Sequence, residues 1–334
     1  MTAFQPQPLI DSFGREISYL RISVTDRCDF RCTYCMAEEM TFLPRKQVLS
    51  LEEIERVARI FVGLGVRKIR ITGGEPLVRH SVDQLIANLG QLPGLKELAL
   101  TTNGSQLTRL AEPLKAGGVT SVNISLDTLE PEAFRRITRT GDLDKVIAGI
   151  DAAVAAGFPR LRLNAVVLRG HNEDQILPLT EFAIERGVDI AFIEEMPLGQ
   201  VNAAGKSLEL VTSDEVLNTI AAKHSLTAAG AQKHSGPARY HTIAGTQTRV
   251  GLISPHSNNF CSSCNRLRIT AEGRLLLCLG NEDSISLRDL MRAGLDDEAL
   301  TGAIRDALTY KPERHVFDRP DEPQILRFMN ASGG

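Results

Sequence analysis

From Ile17 onward, hydrophobic and polar positions alternate between two periods. The stretch Ile17 to Thr25 carries Ile17, Leu20, Ile22 and Val24, which predicts a strand. Leu51 to Leu64 then places apolar residues at 51, 54, 57, 58, 61 and 64, the spacing of one helix face. Ser50 before it and Glu53 inside it form a capping-box pattern. Strands follow at Val66 to Ile71, Lys96 to Leu100, Val119 to Leu126, Leu161 to Val167 and Asp189 to Glu195. Helices at 82–91, 106–116, 143–156 and 175–186 separate them, the last two closing at Gly157 and Gly187. Strands joined by helices demand parallel pairing with right-handed crossovers. Polar residues gather where these strands end: Cys28, Thr72 to Glu75, Thr101, Ser125 and Glu194 to Met196. That edge is where β/α architectures place their chemistry. A dinucleotide-binding reading is weakened by the lack of a G-x-G-x-x-G turn after the first strand.

Beyond Gly199 the periodicity weakens. Gln200 to Leu210 reads as a loop and Thr212 to Ala222 as a modest helix, capped by Thr212 or Ser213. Short strands are predicted at 238–243, 248–253, 266–270 and 274–279, then helices at 286–293 and 296–308. Pro312, Pro320 and Pro323 argue for an extended tail. The pattern divides the chain into an N-terminal extension (1–16), a β/α unit (17–225) and a smaller C-terminal α+β domain (226–334).

Composition narrows the class. A chain of 334 residues with 43% hydrophobic and 24% charged content can bury a large core. No apolar run approaches the roughly 18 residues of a membrane span, and Met1 to Pro8 lacks a signal-peptide pattern. A cytoplasmic protein with no membrane partner is expected. The net charge of −3 gives no support to a nucleic-acid partner. The six cysteines fall into two triplets near opposite ends of the chain, which suits a reducing compartment better than a disulfide framework.

The first triplet is Cys28, Cys32 and Cys35, spaced C-x3-C-x2-C. Soft thiolates favour zinc or iron–sulfur chemistry. A closed zinc site needs a fourth ligand from elsewhere, whereas three thiolates on one loop suit a four-iron cluster with one iron left open. Thr72-Gly73-Gly74-Glu75-Pro76 follows the next strand and permits a close backbone approach. The cysteine spacing with Tyr34 inside it, followed by this GGEP turn, resembles the signature of the radical S-adenosylmethionine enzymes. The resemblance implies a partial (β/α)6, TIM-like barrel. It also implies a 4Fe–4S cluster on Cys28, Cys32 and Cys35 that chelates S-adenosylmethionine, with further contacts from Tyr34, Gly74, Ser125 and Met196.

The second triplet, Cys261, Cys264 and Cys278, is spaced C-x2-C-x13-C. Zinc remains open on spacing alone, with His256 the nearest histidine to complete a site. The run Cys261-x2-Cys264-Asn265-Arg266-x-Arg268, ending at Cys278-Leu279, resembles the C-terminal motif of the GTP 3′,8-cyclase family of molybdenum cofactor biosynthesis. Thr25-Asp26-Arg27, the TTNG and SLD segments and the terminal Gly333-Gly334 match as well. The resemblance implies a second 4Fe–4S cluster in the C-terminal domain, with its open iron toward guanine. It implies GTP contacts from Arg21, Arg70, Thr101, Arg162, Arg266, Leu267 and Arg268, and a role in turnover for Gly333 and Gly334. Arg162 stands where the family commonly has lysine, which keeps charge and changes geometry. No phosphate-binding P-loop occurs, so side chains must hold the phosphates.

The implied reaction is radical cyclisation of GTP. It needs an external electron donor, passes its product to a cyclic pyranopterin monophosphate synthase and is run by a homodimer. No general base is expected; His171, Glu194 and Glu195 are assigned to packing, ion pairs or solvent. A peptide-modifying two-cluster radical enzyme would need further C-terminal cysteines. An iron–sulfur or zinc scaffold would bind nucleotide without cleaving S-adenosylmethionine.

Overall fold

A computed structural model of the chain describes residues 8–196, 198, 209–230, 236–315, 317 and 327–333. The strands are β1 (Leu9–Ile10), β2 (Glu16–Ile17), β3 (Tyr19–Ser23), β4 (Lys68–Thr72), β5 (Glu97–Thr102), β6 (Val119–Ser125), β7 (Arg160–Val167) and β8 (Asp189–Glu194). They continue with β9 (Leu226–Ala228), β10 (Arg239–Ile243), β11 (Arg249–Ile253), β12 (Arg266–Ile269), β13 (Arg274–Leu276) and β14 (Ser284–Ser286). β1 and β2 form a small hairpin, and the other twelve make one sheet in the order β14-β13-β12-β3-β4-β5-β6-β7-β8-β11-β10-β9. β3 to β8 are parallel throughout. The order does not close on itself among the described residues, which is the partial barrel expected from the six β/α units.

Local chemistry explains the elements that position the site. The helix Leu51–Gly63 starts at Ser50, whose hydroxyl accepts from Glu53 N (3.1 Å) while Glu53 accepts from Ser50 N (2.7 Å). Such a cap contributes about 1 kcal/mol. Helix Leu143–Ala156 ends at Gly157 in the left-handed region, as its sequence predicts. The strands bury leucine, isoleucine and valine toward these helices in one continuous apolar core, with Leu20, Ile22, Ile69 and Ile71 wholly enclosed. The alternate residues, Tyr19, Arg21 and Ser23, share the opposite face of β3.

Four sequence expectations change. The strand expected over Ile17 to Thr25 is broken at Ser18: Ile17 pairs with Leu9, while the backbone N–H groups of Ser18 and Tyr19 both donate to Asn265 O. The strand expected at 274–279 stops at Leu276. Helix Pro131–Thr138 was unforeseen, although Pro131 at its first position is a start signal. The tail is helical at Met329–Ser332, while Pro320 and Pro323 lie outside the described residues. The strands after residue 225 also do more than form a small separate sheet. β12 joins β3 in parallel and β11 joins β8 in parallel, so they extend both edges of the barrel sheet.

The GGEP turn is packed on the cysteine loop. Gly74 N donates to Thr25 O (2.8 Å) and Glu75 N to Arg27 O (2.8 Å). A side chain at Gly74 would bring its Cβ to 2.4 Å from Arg27 O, so only glycine fits this approach. Glu75 is fully buried and accepts from Leu77 N (2.9 Å), Thr102 Oγ1 (2.8 Å) and Asn103 N (2.7 Å). One carboxylate thus fastens the ends of β4 and β5 together beneath the first cysteine loop.

Glu75→Ala strands those three donors in a dry pocket and is expected to destabilise the protein by about 3 kcal/mol or more. A lower urea midpoint at unchanged slope checks it. Burial pushes the Glu75 carboxyl up to about 8, against the hydrogen bonds from Asn103, Leu77 and Thr102. A raised carboxyl stabilises the fold most at low pH and loses that contribution as pH rises toward 8. The stability advantage of the native protein over Glu75→Gln should therefore narrow between the ordinary carboxylate range and pH 8.

Candidate active site

The register of the parallel strands gathers the site. Arg268 of β12 lies opposite Arg21 of β3, and Arg21 opposite Arg70 of β4. One pair of residues toward the strand starts, Arg266, Tyr19, Lys68 and Glu97 form a second row across β12, β3, β4 and β5. Farther round, Thr101, Asn123, Arg162 and Asp189 form a third across β5 to β8. All of these line one cavity of about 610 Å³, together with Leu267, Met196, Cys261, Cys264 and Cys278. Its described wall carries eleven lysine and arginine side chains against two carboxylates, Glu97 and Asp189.

Each arginine is oriented by a specific partner. Arg70 donates from Nε to Tyr19 Oη (2.7 Å) and from Nη1 to Leu100 O (2.7 Å) and Thr101 Oγ1 (3.3 Å). Arg162 donates to Asn164 Oδ1 (2.9 Å) and Tyr240 Oη (2.6 Å). With its amide turned so that oxygen faces the arginines, Asn123 accepts from both Arg162 (2.6 Å) and Arg70 (3.2 Å). Burial and the neighbouring charges of Arg70 and Arg266 bring Arg21 down to about 10, against the pull of Tyr19. Burial and then Arg21 and Arg266 push Arg268 well below the usual guanidinium range. Burial raises the Tyr19 phenol, but Arg70, Arg21 and Lys68 outweigh it and bring it down to about 7. The wall is a store of like charge that a polyanion would relieve.

Cys28, Cys32 and Cys35 stand on the loop after β3, off the wall of this cavity. Burial pushes all three thiols up, Cys35 to about 12, and Cys28 is raised further by Glu75 and Asp29. Tyr34 Oη donates to Asp127 Oδ2 (2.8 Å), which ties the loop to the end of β6. Burial lifts the Asp127 carboxyl to about 6. Asn103 donates to Asp29 Oδ1 (2.7 Å) and Ser105 to Asp29 Oδ2 (2.6 Å). Of the residues expected to contact S-adenosylmethionine, Met196 lines the cavity, whereas Tyr34, Gly74 and Ser125 surround the cysteine loop's side of the sheet edge.

The second triplet has the opposite surroundings. Arg266 Nη2 approaches Cys264 Sγ at 3.8 Å and Lys311 Nζ approaches it at 3.9 Å. Burial raises the Cys264 thiol, yet Arg266 and Lys311 bring it down to about 7. Burial holds Cys261 and Cys278 above the usual thiol value. Arg15, from the β2 hairpin, braces the loop by donating to Cys261 O (2.9 Å).

Both donor sets suit a four-iron cluster. Each offers three soft thiols, and each thiolate of such a cluster ligates a different iron. Among the described residues no three Cys, His, Asp or Glu side chains converge as the ligands of a single ion do. His256, the candidate fourth zinc ligand, instead bonds Glu195 O through Nε2 (2.9 Å). Glu194 is buried and accepts from Ser213, His256 and Ser257, a structural knot at the end of β8. His171 is exposed on a turn.

The tail runs from the first cysteine loop to β12. Met329 N donates to Cys35 O (3.3 Å), Asn330 Nδ2 to Asp26 O (2.9 Å), and Arg268 Nη1 to Gly333 O (2.5 Å). Gly333 has φ +77, and a Cβ there would lie 1.9 Å from Thr72 Oγ1. Gly334 lies outside the described residues. Tyr19, Asn123, Tyr240 and Lys311 are site residues that sequence reasoning did not single out. Tyr19 was accessible, since it shares the face of Arg21. Tyr240 and Lys311 carry no local signal.

Comparison with known proteins divides the chain in two. The Radical SAM superfamily matches residues 22–183, and Molybdenum Cofactor Synthesis C matches 188–317. A protein named GTP 3′,8-cyclase from Pseudomonas entomophila is 59% identical over 331 residues, 98% of this chain and 99% of that one. A GTP 3′,8-cyclase 1 from Pseudomonas aeruginosa is 61% identical over 327 residues, 97% of this chain and 99% of that one. Among solved structures, Streptococcus suis SuiB bound to its precursor peptide SuiA has a TM-score of 0.64 at 18% identity, over 93% of this chain and 75% of that one, a likeness of fold. With relatives this similar along almost its whole length, the chain belongs to the GTP 3′,8-cyclase family of radical S-adenosylmethionine enzymes.

Proposed function

We propose that this enzyme converts GTP and S-adenosylmethionine to (8S)-3′,8-cyclo-7,8-dihydroguanosine 5′-triphosphate in molybdenum cofactor biosynthesis. Residues 17–225 hold the first 4Fe–4S cluster on Cys28, Cys32 and Cys35, and residues 226–334 hold the second on Cys261, Cys264 and Cys278. When bound, the first cluster and S-adenosylmethionine would supply a 5′-deoxyadenosyl radical that takes hydrogen from C3′ of GTP. C3′ then bonds to C8, and one further electron from the donor, with a proton, quenches the radical left on the guanine. The proposal includes an external electron donor, transfer of product to a cyclic pyranopterin monophosphate synthase, and a homodimer working in the cytoplasm. No helix among the described residues is long and apolar enough to cross a membrane.

The observation that carries this reading is the single cavity in which the second triplet shares a wall with Arg21, Arg70, Arg162, Arg266 and Arg268. GTP carries about four negative charges, and guanidinium forks bind phosphate oxygens through paired donors. Thr101 and Asn123 hold Arg70 and Arg162 in place, so their orientation is set before the substrate arrives. Leu267 packs its side chain into the core between Arg266 and Arg268, which turns both arginines to the other face of β12. Tyr34, Gly74, Ser125 and Met196 are assigned to S-adenosylmethionine. The close approach of Gly74 to the cysteine loop fixes the turn that would meet it. Gly333 and Gly334 are assigned a role in turnover, supported at Gly333 by its close approach to Thr72 at the end of β4 and its bond to Arg268. Filling the cavity excludes water from the radical.

The test is anaerobic reconstitution followed by dithionite, S-adenosylmethionine and GTP. Formation of 5′-deoxyadenosine that depends on GTP is expected; cleavage that ignores GTP, or none at all, sinks the assignment. Cys278→Ala is expected to abolish GTP conversion while preserving S-adenosylmethionine binding at the first site. Normal turnover would remove the second triplet from the reaction. Deleting Gly333 and Gly334 should abolish product formation with little change in thermal stability, and unchanged product yield would take the tail out of the site.

A further inference from the structure

We propose that Lys311 is the resident counter-charge of the second cluster, holding its thiolate ligands by charge and raising its reduction potential. The inference rests on the reading that Cys261, Cys264 and Cys278 carry a cluster. Lys311 follows the helix Asp297–Leu308 and is 3% exposed. Its ammonium donates to Leu277 O (2.5 Å) and to Cys264 Sγ (3.9 Å). Among the described residues no carboxylate forms an ion pair with it. Among the described residues the buried ammonium has one carbonyl and one partly ionised thiol as partners, which compensates its charge poorly. The arrangement becomes a good one when the thiols lose their protons to a cluster, because three thiolates outweigh the charge of an oxidised cluster core.

Arg266 also reaches Cys264, but it faces the cavity and stacks on Phe260 (4.8 Å to the ring centre), where the substrate competes for it. Lys311 lines the same cavity but is almost fully buried, and its bond to the carbonyl of Leu277, the residue before Cys278, holds its charge beside the cysteines. The ammonium therefore bridges the turn before β12 that carries Cys264 and the stretch after β13 that carries Cys278. At the first triplet the basic side chain of Arg31 donates to the Cys28 carbonyl rather than to a sulfur. The acidic groups acting on its thiols are the carboxyls of Glu75, Asp29 and Asp127. Hydrogen bonds and net charge around the sulfurs set cluster potentials, so the two sites should differ in their response to loss of Lys311.

The experiment compares reconstituted holoenzyme with Lys311→Met and Lys311→Arg by iron and sulfide content and by redox titration followed by electron paramagnetic resonance. A Cys278→Ala protein identifies the signal of the first cluster. Lys311→Met is expected to lower the potential of the second cluster, or to lose that cluster's iron, with the first cluster unchanged and with Lys311→Arg restoring the native behaviour. Full iron content with an unshifted second potential in Lys311→Met overturns the proposal. So does an equal shift of both clusters, or equal loss of the second cluster in both variants, since geometry rather than charge would then be what the site requires. If the native protein itself shows only the first cluster's signal, the two-cluster reading fails, and the proposal with it.

Discussion

Parallel hydrogen bonding of β12, β3 and β4 in a single register puts Arg268, Arg21 and Arg70 opposite one another across three adjacent strands. Side chains directly opposite on neighbouring strands are close enough to interact, and like charges so placed repel. The fold accepts this because the other face of the same strands buries Leu20, Ile22, Ile69, Ile71, Leu267 and Ile269 with almost no exposure. A slip of one residue on β3 would turn its leucine and isoleucine into the cavity and its arginine into the core. Apolar burial therefore fixes the register, and the register concentrates positive charge. Stability is supplied on one side of the sheet and spent as electrostatic strain on the other, where an anionic substrate can recover it.

The two cysteine triplets are sorted by charge. Carboxyl groups of Asp29, Glu75 and Asp127 stand near the thiols of the first, with Glu75 held largely protonated near neutral pH and Arg31 on the Cys28 carbonyl. The ammonium and guanidinium groups of Lys311 and Arg266 act directly on a sulfur of the second. A negative surrounding disfavours added electrons and a positive one favours them. A cluster that must reduce a sulfonium should be a reluctant electron holder, whereas the second cluster, in the role proposed for it, has no such need. The sorting arises from topology. The first triplet hangs over strand ends tied by Glu75, while the second flanks strands β12 and β13, which come from the far end of the chain and bring the basic residues of β12 and the stretch after the last long helix.

Much of this was legible in the chain. The six β/α units announced themselves because buried parallel strands and amphipathic helices have distinct periods, and helix 143–156 begins and ends where its pattern says. The cysteine triplets and the GGEP turn were visible because their chemistry requires fixed local spacing. What stayed hidden depended on distance along the chain. β11 and β12 are four or five residues long, too short for periodicity to reveal that they flank β8 and β3. Tyr240 meets Arg162 across 78 residues, and Lys311 meets Cys264 across 47. Neither residue type at those positions differs from an ordinary surface residue until the fold brings the partners together. Helix Pro131–Thr138 escaped for a different reason: its buried Ala133, Phe134, Ile137 and Thr138 have helical spacing, but eight residues hold too few apolar positions to stand out among the charged ones.

The tail shows how local and long-range determinants combine. Its small residues permit it to enter, but its path is set by partners in three different places. Met329 reaches the first cysteine loop at Cys35, Ala331 O accepts from Ala271 N (3.3 Å) beyond β12, and Gly333 O meets Arg268. The tail therefore reads the relative position of the first triplet and the strand that leads from the second. Moving either would cost at least one of these bonds. The arginine it engages also belongs to the row that faces the cavity, so the Gly333 carbonyl takes up one donor that would otherwise repel Arg21 and Arg266. A side chain at Gly333 would collide with Thr72, at the end of β4 and one residue before the GGEP turn. The conformational freedom of glycine at 333 thus lets the tail pass close to Thr72 while its carbonyl meets Arg268.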